Sequence, residues 1–381
     1  MEGLASELKK YKQIFVVCDR NVLAFAQTLA SSAGAKTVEN CACGAKNGNA
    51  RANNGLNCAC ESKKNDSEWP LLAITADEAH KTIDTVMEIC RWLCYSGADR
   101  DALVLAVGGG VTTDIAGFAA SIYKRGIRYA NIPTTLLSMV DAGIGGKTGV
   151  NLDGYKNLLG VIRQPEFTAI FPEVLETLPD RELRSGLAEM LKTFIIKNPA
   201  HAYERTVAFF QTPCSGDCPE DSALLRNPFR ENAPLSGQSS LSQLIHQAAA
   251  IKQAIVEKDE FESGPRRKLN LGHTWAHAIE WWQKETGREE QLTHGEAVAI
   301  GMVQAAKYAE RHGIAEEPGL ADRIATDLKA CGLPTELPCP EQDLLPAILK
   351  DKKAYGSKIK LVLPCKIGKV VVLPIEVCSL S

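Results

Sequence analysis

The sequence predicts an α/β N-terminal domain with a mostly parallel sheet, followed by an all-α C-terminal domain. Short apolar runs alternate with helical patterns over the first half of the chain, which is typical of βαβ units. After Pro172 strand patterns nearly vanish and amphipathic stretches follow one another. Because 381 residues exceed what one hydrophobic core usually supports, we expect two domains, 1–171 and 172–381.

The individual elements follow from these patterns in chain order. In the first domain we predict strands over 14–18, 71–75, 103–107 and 129–132, with a helix over 78–95. In the second domain the apolar period of a helix recurs over 186–197, 241–258, 272–284, 295–312 and 319–331. Two short apolar runs, 359–362 and 370–373, flank Gly368 and are compatible with a small hairpin or with edge strands.

Composition and charge narrow the class of protein. With 45% hydrophobic and 23% charged residues the chain has the make-up of an ordinary globular protein, and a net charge of -3 gives no broad reason to bind nucleic acid or anionic lipid. No apolar run approaches the roughly 20 residues that cross a bilayer, and residues 1–12 carry charges where a signal peptide is apolar. We therefore expect a cytoplasmic enzyme that acts on small molecules, with no nucleic-acid or membrane partner.

Two polar stretches interrupt these patterns. The first, at about 38–66, contains the Cys-x-Cys pairs Cys41/Cys43 and Cys58/Cys60 among Asn, Gly and Ala. Four thiols can bind a metal, but the spacing is not the two-residue spacing of zinc knuckles, so a flexible insertion is favoured over a structural metal site. The second stretch, at about 211–238, lacks an apolar period and is predicted to be a surface insertion.

A glycine turn follows one of the predicted strands. The apolar run 104–107 leads into Gly108, Gly109 and Gly110, and a helical pattern comes next. Such a turn lets the backbone approach a pyrophosphate while the helix N-terminus offers free N–H groups. The motif is not a GxGxxG fingerprint, so a plain tight turn stays open as the alternative. Asp114, which we expect in the first helical turn, either complements the helix dipole or hydrogen-bonds a ligand.

A second glycine-rich segment, 143–149, includes Lys147. It resembles the end of a P-loop, but the first glycine that a P-loop needs falls on Ala142 and the preceding segment is helical, which disfavours a nucleoside triphosphate. We expect a glycine-rich loop that places lysine ammonium groups beside a phosphate or a carboxylate of a substrate.

Acidic and imidazole side chains concentrate in the second domain. Glu189 and Lys192 share one helix face, and apolar residues on both sides of that helix predict a buried carboxylate that needs a cation or a metal. Three of the seven histidines fall in two short motifs. His273 and His277 are four apart, so spacing alone predicts them as paired metal ligands, with His294 or Glu189 completing a three-ligand site that keeps an open position. For Lys252, sequence leaves a solvated face and a functional role equally open.

Six segments, taken in order and spacing, resemble the 3-dehydroquinate synthase family: 108–117, 133–137, 141–147, 186–192, 269–274 and 294–302. The match covers about 71–313 apart from the second insertion. Several independent motifs in one order make a chance resemblance improbable. The family implies an NAD-binding α/β domain, a helical domain that binds metal and substrate, and a homodimer.

Site residues carry over from the family where the motifs match. The implied metal ligands are Glu189, His273 and His294, which moves His277 from metal ligand to substrate contact. The implied NAD contacts are Asp19, Glu78, Lys81, Gly108, Gly109, Gly110, Asp114, Thr134, Thr135, Asp141, Lys147, Lys156, Thr177 and Glu182. The implied substrate and catalytic residues are Lys147, Asn157, Lys192, Lys252, Arg266, Asn270, His277 and Lys353, or its neighbour Lys352, with Arg125 lent across the dimer interface.

The resemblance also implies a reaction. The substrate would be 3-deoxy-D-arabino-heptulosonate 7-phosphate, which the shikimate pathway turns into 3-dehydroquinate and phosphate on the way to chorismate and the aromatic amino acids. NAD would oxidise a ring hydroxyl, phosphate would leave, hydride would return, and an intramolecular aldol step would close the carbocycle. A Glu/His/His set suits zinc or cobalt as the divalent metal. No protein base for the elimination stands out, and the phosphate of the substrate can accept that proton.

Two other enzymes remain as alternatives. Another sugar-phosphate cyclase shares the scaffold, but Asn270, His277 and Arg266 all match the dehydroquinate branch. A metal-dependent polyol dehydrogenase of related fold would need no phosphate pocket, whereas Lys147, Lys252 and Arg266 together indicate one. A catalytically inactive paralogue would be expected to have lost a metal ligand, and none is lost.

Overall fold

The structure is a computed structural model that describes residues 2–39, 68–153, 155–211, 235–350 and 358–376. Both Cys-x-Cys pairs, most of the second predicted insertion and the predicted substrate residue Lys353 lie outside these ranges. The chain divides into two compact units. The first is Met1–Thr134 with Gly146–Phe171, and the second is Thr135–Gly145 with Pro172–Ser381.

The first unit contains a parallel sheet, as predicted, but with five strands rather than the four that the sequence indicated. Its strands are β1 Ile14–Asp19, β2 Lys36–Glu39, β3 Glu68–Ile74, β4 Leu103–Gly108 and β5 Arg128–Pro133, in the order β2-β3-β1-β4-β5. All six residues of β4 are buried, which explains why this central strand has a continuous apolar run rather than alternation. Strand β2 was not predicted, and it places residues 38 and 39 in the sheet instead of in the first insertion.

Helices cover both faces of this sheet. They are α1 Glu2–Leu8, α2 Leu23–Ser32, α3 Ile83–Tyr95 and α4 Gly110–Ile122. Successive residues of a strand point to opposite faces, so Phe15 and Val17 join one apolar core while Val16 joins the other. Helix α3 begins five residues later than predicted, because the Thr82 hydroxyl caps it by accepting a hydrogen bond from the Thr85 N–H.

An antiparallel hairpin, β6 Lys147–Leu152 and β7 Tyr155–Ile162, completes the first unit. The prediction of a glycine-rich loop over 143–149 is therefore wrong from Lys147 onward. The glycines serve a close strand approach here, since a Cβ on Gly149 would lie 2.4 Å from the carbonyl oxygen of Leu159. The segment before it is helical, as predicted, with a π-helical turn at Ser138–Ala142.

The described residues of the second unit form helices and one hairpin. Its helices are α5 Asp180–Ile196, α6 Ala202–Gln211, α7 Leu235–Lys258, α8 His273–Thr286, α9 His294–Arg311, α10 Leu320–Ala330 and α11 Glu341–Lys350. All five predicted helices are present, but α7 begins at Leu235, so residues 235–238 belong to a helix and not to the second insertion. The predicted hairpin is present as β8 Lys358–Lys366 and β9 Lys369–Glu376. None of the described helices is long and apolar enough to cross a membrane.

Candidate active site

Three glycines allow close helix contacts in the second unit, and each contact carries a predicted site residue into place. A Cβ on Gly295 of α9 would lie 2.0 Å from the carbonyl oxygen of Ser185 on α5, one turn before Glu189. A Cβ on Gly301 of α9 would lie 2.0 Å from the carbonyl oxygen of Gly272, where α8 begins. A Cβ on Gly186 would lie 2.4 Å from the backbone N of Leu137, in the turn that leads to Asp141. Larger side chains would push these elements apart.

Glu189, His273 and His294 meet at this crossing. The Nε2 of His294 lies 3.4 Å from Oε1 of Glu189, and the Nε2 of His273 lies 3.9 Å from the same oxygen. One ligand atom from each of the three residues falls within 4.8 Å of the others. His277 does not join this group, although its ring contacts that of His273 at a centroid distance of 5.4 Å. The structure thus gathers the donor set implied by the family and not the His273/His277 pair predicted from spacing.

The Glu189 carboxylate is fully buried, as the sequence predicted. Neither of its oxygens makes a hydrogen bond of good geometry within the described residues, although the Lys192 ammonium contacts Oε2. Burial by itself raises the pKa of Glu189, but the charge of Lys192 overcomes that effect and holds the pKa at about 2. An ionised, buried and incompletely satisfied carboxylate beside two imidazoles fits a divalent metal ion.

Each of these two histidines is oriented through its other ring nitrogen. Nδ1 of His273 lies 3.1 Å from the carbonyl oxygen of Leu271, and Nδ1 of His294 lies 3.1 Å from Oε1 of Glu280. Burial and the nearby Lys192 lower the pKa of His273 to about 3, which keeps the ring neutral. For His294 burial lowers the pKa, but the Glu189 and Glu280 carboxylates beside its two ring nitrogens raise it to about 10.

Asp141 lies between two of the predicted substrate lysines. Nζ of Lys252 donates to Oδ1 of Asp141 at 2.7 Å and to its carbonyl oxygen at 2.6 Å, while Nζ of Lys192 lies 3.6 Å from the same Oδ1. Burial raises the pKa of Asp141, but the two ammonium groups lower it well below its usual range. Lys252 is only 7% exposed, so it does not belong to a solvated helix face, and burial lowers its pKa.

The loop after α7 holds Arg266 and Asn270. Oδ2 of Asp259 accepts from the backbone N–H groups of Gly264 at 2.7 Å and Arg266 at 3.0 Å, and Oδ1 accepts from Ser263. The Arg266 guanidinium is buried and its Nη2 donates to the carbonyl oxygen of Gly145 at 2.8 Å. The Asn270 amide donates to the Glu262 carboxylate.

Sequence reasoning missed three acids of this site: Asp259, Glu262 and Glu280. The first could have been found from turn chemistry, because it follows the end of a helix and precedes a Gly-Pro pair. The other two belong to no spacing pattern, and only the tertiary contacts reveal them.

The first unit holds a second group of predicted residues. Gly109 is the N-cap of α4 and offers no side-chain cap, so the helix N–H groups stay available to an anion. Asp114 lies in the second helical turn rather than the first, and its Oδ2 accepts from Nζ of Lys81 at 2.6 Å. The Asp114 carboxylate is therefore stabilised by the Lys81 ammonium group rather than by the helix dipole.

Three further predicted site residues of the first unit, Glu78, Asn157 and Asp19, take part in hydrogen bonds within that unit. The Glu78 carboxylate accepts from the Asn151 amide at 2.8 Å, and the Asn151 side-chain oxygen accepts from the backbone N–H of Asn157 at 2.8 Å. Asn157 has a φ of 53°, a left-handed conformation that Asn tolerates better than most residues. Asp19 ends β1 and accepts from the N–H of Asn21, and burial raises its pKa.

The remaining predicted residues divide between the units. Lys147 begins β6, Lys156 lies on β7 beside Asn157, Thr134 is buried after β5, and Arg125 follows α4 with a φ of 69°. Thr135, Asp141, Thr177 and Glu182, all predicted NAD contacts, belong to the second unit. Thr177 ends a 3-10 turn and Glu182 lies in the first turn of α5, where burial raises its pKa.

Two family models match the chain, 3-dehydroquinate synthase N-terminal over residues 71–185 and 3-dehydroquinate synthase C-terminal over residues 219–354. A 3-dehydroquinate synthase of Dictyoglomus thermophilum is 40% identical over 304 residues, which are 80% of this chain and 78% of that protein. This chain belongs to the 3-dehydroquinate synthase family. The resemblance inferred from six short motifs is thereby confirmed.

Solved structures agree with this family assignment. The 2-epi-5-epi-valiolone synthase of Streptomyces hygroscopicus, with NAD+ and Zn2+ bound, is 27% identical, with a TM-score of 0.75 over 98% of this chain and 90% of that one. A 2-deoxy-scyllo-inosose synthase shares the fold at 22% identity, with a TM-score of 0.74 over 100% of this chain and 92% of that one. The predicted fold class, an α/β domain and a helical domain as in the dehydroquinate synthases, is confirmed.

Proposed function

We propose that this member of the 3-dehydroquinate synthase family converts 3-deoxy-D-arabino-heptulosonate 7-phosphate into 3-dehydroquinate and phosphate. The observation that carries the proposal is the cluster of the buried Glu189 with the partly exposed His273 and His294, beside Lys192. The chain that holds it is 40% identical to a 3-dehydroquinate synthase. The reaction belongs to the carbon–oxygen lyases, because a C–O bond to phosphate breaks by elimination.

The proposed cofactors are NAD and one divalent metal, zinc or cobalt, held by Glu189, His273 and His294. The metal would polarise substrate oxygens and lower the pKa of a coordinated hydroxyl, and NAD would take up and return one hydride per turnover. Both groups are bound in the related 2-epi-5-epi-valiolone synthase. In this chain the Gly108–Gly110 turn offers backbone N–H groups to a pyrophosphate, and Lys81 holds Asp114 at the helix that follows.

The buried cations have the chemistry to hold a phosphorylated acid. Lys252 and Arg266 are each nearly excluded from water, and their ammonium and guanidinium groups attract anions more strongly in such surroundings than at a surface. Asp141 keeps both Lys192 and Lys252 oriented, and Asp259 shapes the loop that presents Arg266. Residues held in this way lose little freedom when a substrate arrives.

Phosphate release from 3-deoxy-D-arabino-heptulosonate 7-phosphate, with NAD and zinc present, tests the proposal. We expect release without net NADH, loss of release after chelation, and recovery when zinc is returned. Stoichiometric NADH during steady turnover would favour a polyol dehydrogenase. Metal and NAD binding without phosphate release from this substrate would favour another sugar-phosphate cyclase, which a panel of sugar phosphates would identify.

We also propose that two copies of the chain form a homodimer through the β6–β7 hairpin. Within the described part of the chain, strand β7 pairs with β6 alone. Four of its apolar side chains are 36% to 69% exposed: Tyr155, Leu158, Val161 and Ile162. An exposed apolar edge strand is a surface that a second copy can cover. Arg125, which the family would lend to the partner, is the proposed shared residue.

Light scattering on the purified chain tests this association. We expect a dimer for the wild type, a monomer for Leu158→Glu, and a dimer for Phe261→Glu, which changes an even more exposed apolar residue outside the hairpin. A monomeric wild type would refute the homodimer.

A cytoplasmic location remains a prediction from composition, and cell fractionation tests it.

A further inference from the structure

Glu280 contacts a proposed metal ligand and belongs to no motif. It lies on α8 seven residues after His273, so both side chains share one helix face. Its Oε1 is 3.1 Å from Nδ1 of His294, the first residue of α9, and its side chain is only 12% exposed. The carboxylate therefore reaches from one helix to the imidazole of the next.

The backbone at His294 is fixed independently of Glu280. Thr293 caps α9 by accepting from the N–H of Glu296, and the Glu296 carboxylate accepts from the N–H of Thr293 in return. With the backbone held by this capping box, the remaining freedom of His294 is rotation of its side chain. A partner at Nδ1 removes that freedom and, in the neutral ring, holds the proton on Nδ1 so that Nε2 carries the lone pair.

We propose that Glu280 is a positioning residue that accepts the Nδ1–H of His294 and thereby turns Nε2 toward Glu189. The inference rests on the proposed metal site. A carboxylate in this role also makes Nε2 a stronger electron-pair donor to a metal. Loss of a hydrogen-bond partner of a metal ligand typically lowers metal affinity about 10- to 100-fold.

His273 and His294 differ in the partner of their Nδ1 atom, and this difference limits how much a substitution of Glu280 can weaken metal binding. Nδ1 of His273 faces the backbone carbonyl of Leu271, which no side-chain substitution removes, whereas Nδ1 of His294 depends on the Glu280 side chain. Substitution of Glu280 should therefore loosen one histidine and leave Glu189 and His273 in place. We expect weakened metal binding and not its abolition.

Competition with a chromophoric zinc chelator, on the full metal-free chain, measures this effect without turnover. We expect zinc affinity about 10- to 100-fold lower for Glu280→Ala. Glu280→Gln keeps an acceptor of the same length but loses the charge, so it should recover most of that loss. Glu285→Ala, an exposed acid on the same helix, should equal the wild type.

Cobalt provides a second readout that general loss of stability would not mimic. The visible absorption of bound Co²⁺ should shift in Glu280→Ala, because one imidazole is less firmly held, and should be near wild type in Glu280→Gln. Equal zinc affinity and equal cobalt spectra for wild type and Glu280→Ala would overturn the positioning role alone. A wild-type chain that binds neither zinc nor cobalt would instead overturn the proposed metal site itself.

Discussion

The two units arrange their predicted site residues in different ways. In the helical unit, four charged groups lie against one another, three of them buried and one partly exposed: Glu189, Lys192, Lys252 and Asp141. In the α/β unit the central feature is a backbone turn, Gly108–Gly110, with a charged pair on the helix beyond it. Buried charges need specific partners, whereas backbone N–H groups at a helix start can accept an anion as they stand. We therefore expect substitutions in the helical unit to have larger effects.

The largest expected effect follows from Glu189→Gln. The amide keeps the shape of the side chain but removes the charge on which two imidazoles and Lys192 converge. If the metal supplies several kcal/mol to the reaction, phosphate release should fall by at least about 100-fold. Zinc content after dialysis should fall in parallel. Full zinc content together with wild-type release would show that Glu189 is not a ligand.

Lys192→Met should produce the largest loss of stability. The variant leaves Glu189 and Asp141 buried without their shared cation, and breaking a buried pair in this way typically costs about 3–5 kcal/mol of unfolding free energy. Urea unfolding measures the difference. Lys329→Met, on an exposed position of α10, should change the free energy of unfolding by less than about 0.5 kcal/mol. Similar losses of unfolding free energy for Lys192→Met and Lys329→Met would contradict the view that the buried charges of the helical unit depend on Lys192.

Lys81→Met tests the α/β unit. Lys81 is 5% exposed, and its loss removes the ammonium group that pairs with Asp114, which is partly open to solvent. We expect the Kd for NAD to rise about tenfold, which corresponds to about 1.4 kcal/mol, with a smaller stability loss than for Lys192→Met. Isothermal titration with NAD measures the change. The exposed Lys12→Met in the same unit is the control, and an unchanged Kd for Lys81→Met would argue against a cofactor role for this pair.

The smallest expected effect is a pH-dependent loss of stability in Asp259→Asn. Burial would raise the pKa of Asp259, but hydrogen bonds from the backbone N–H groups of Gly264, Arg266 and Ser263 lower it to about 2. A carboxyl pKa that is lower in the folded than in the unfolded chain adds stability above the unfolded value of about 3.9, and this stability is lost as pH falls toward 2. Thermal midpoints should therefore be lower for Asp259→Asn than for wild type at pH 6, and the gap should narrow below pH 4. A gap that is constant with pH would exclude this linkage.

Helix and strand types were predictable because they depend on local patterns. The continuous apolar run of β4 and the amphipathic period of α9 each report burial along a single element. The β6–β7 hairpin was missed for a physical reason. Gly149 belonged to the predicted glycine-rich loop, but it faces Gly160 across the hairpin, and the two glycines permit a close approach of the strands.

The candidate site was predictable only in part. Spacing along one helix suggested His273 with His277, whereas the structure joins His273 to His294 and Glu189 from two other helices. Family resemblance supplied that set, since motifs retain information on distant contacts that spacing lacks. The sequence left open whether Lys252 lies on a solvated helix face, and its burial in the structure excludes that interpretation.

The sequence by itself determined the class of fold, the family and the kinds of side chain available for the chemistry, because local periodicity and short motifs are properties of the linear chain. Only the tertiary structure decided which partner each charged group has. Glu280 with His294, Asp259 with the Arg266 loop and Asp141 with two lysines are contacts between separate elements. Their geometry depends on how closely the helices approach at Gly186, Gly295 and Gly301, and that distance is set by packing rather than by any local pattern.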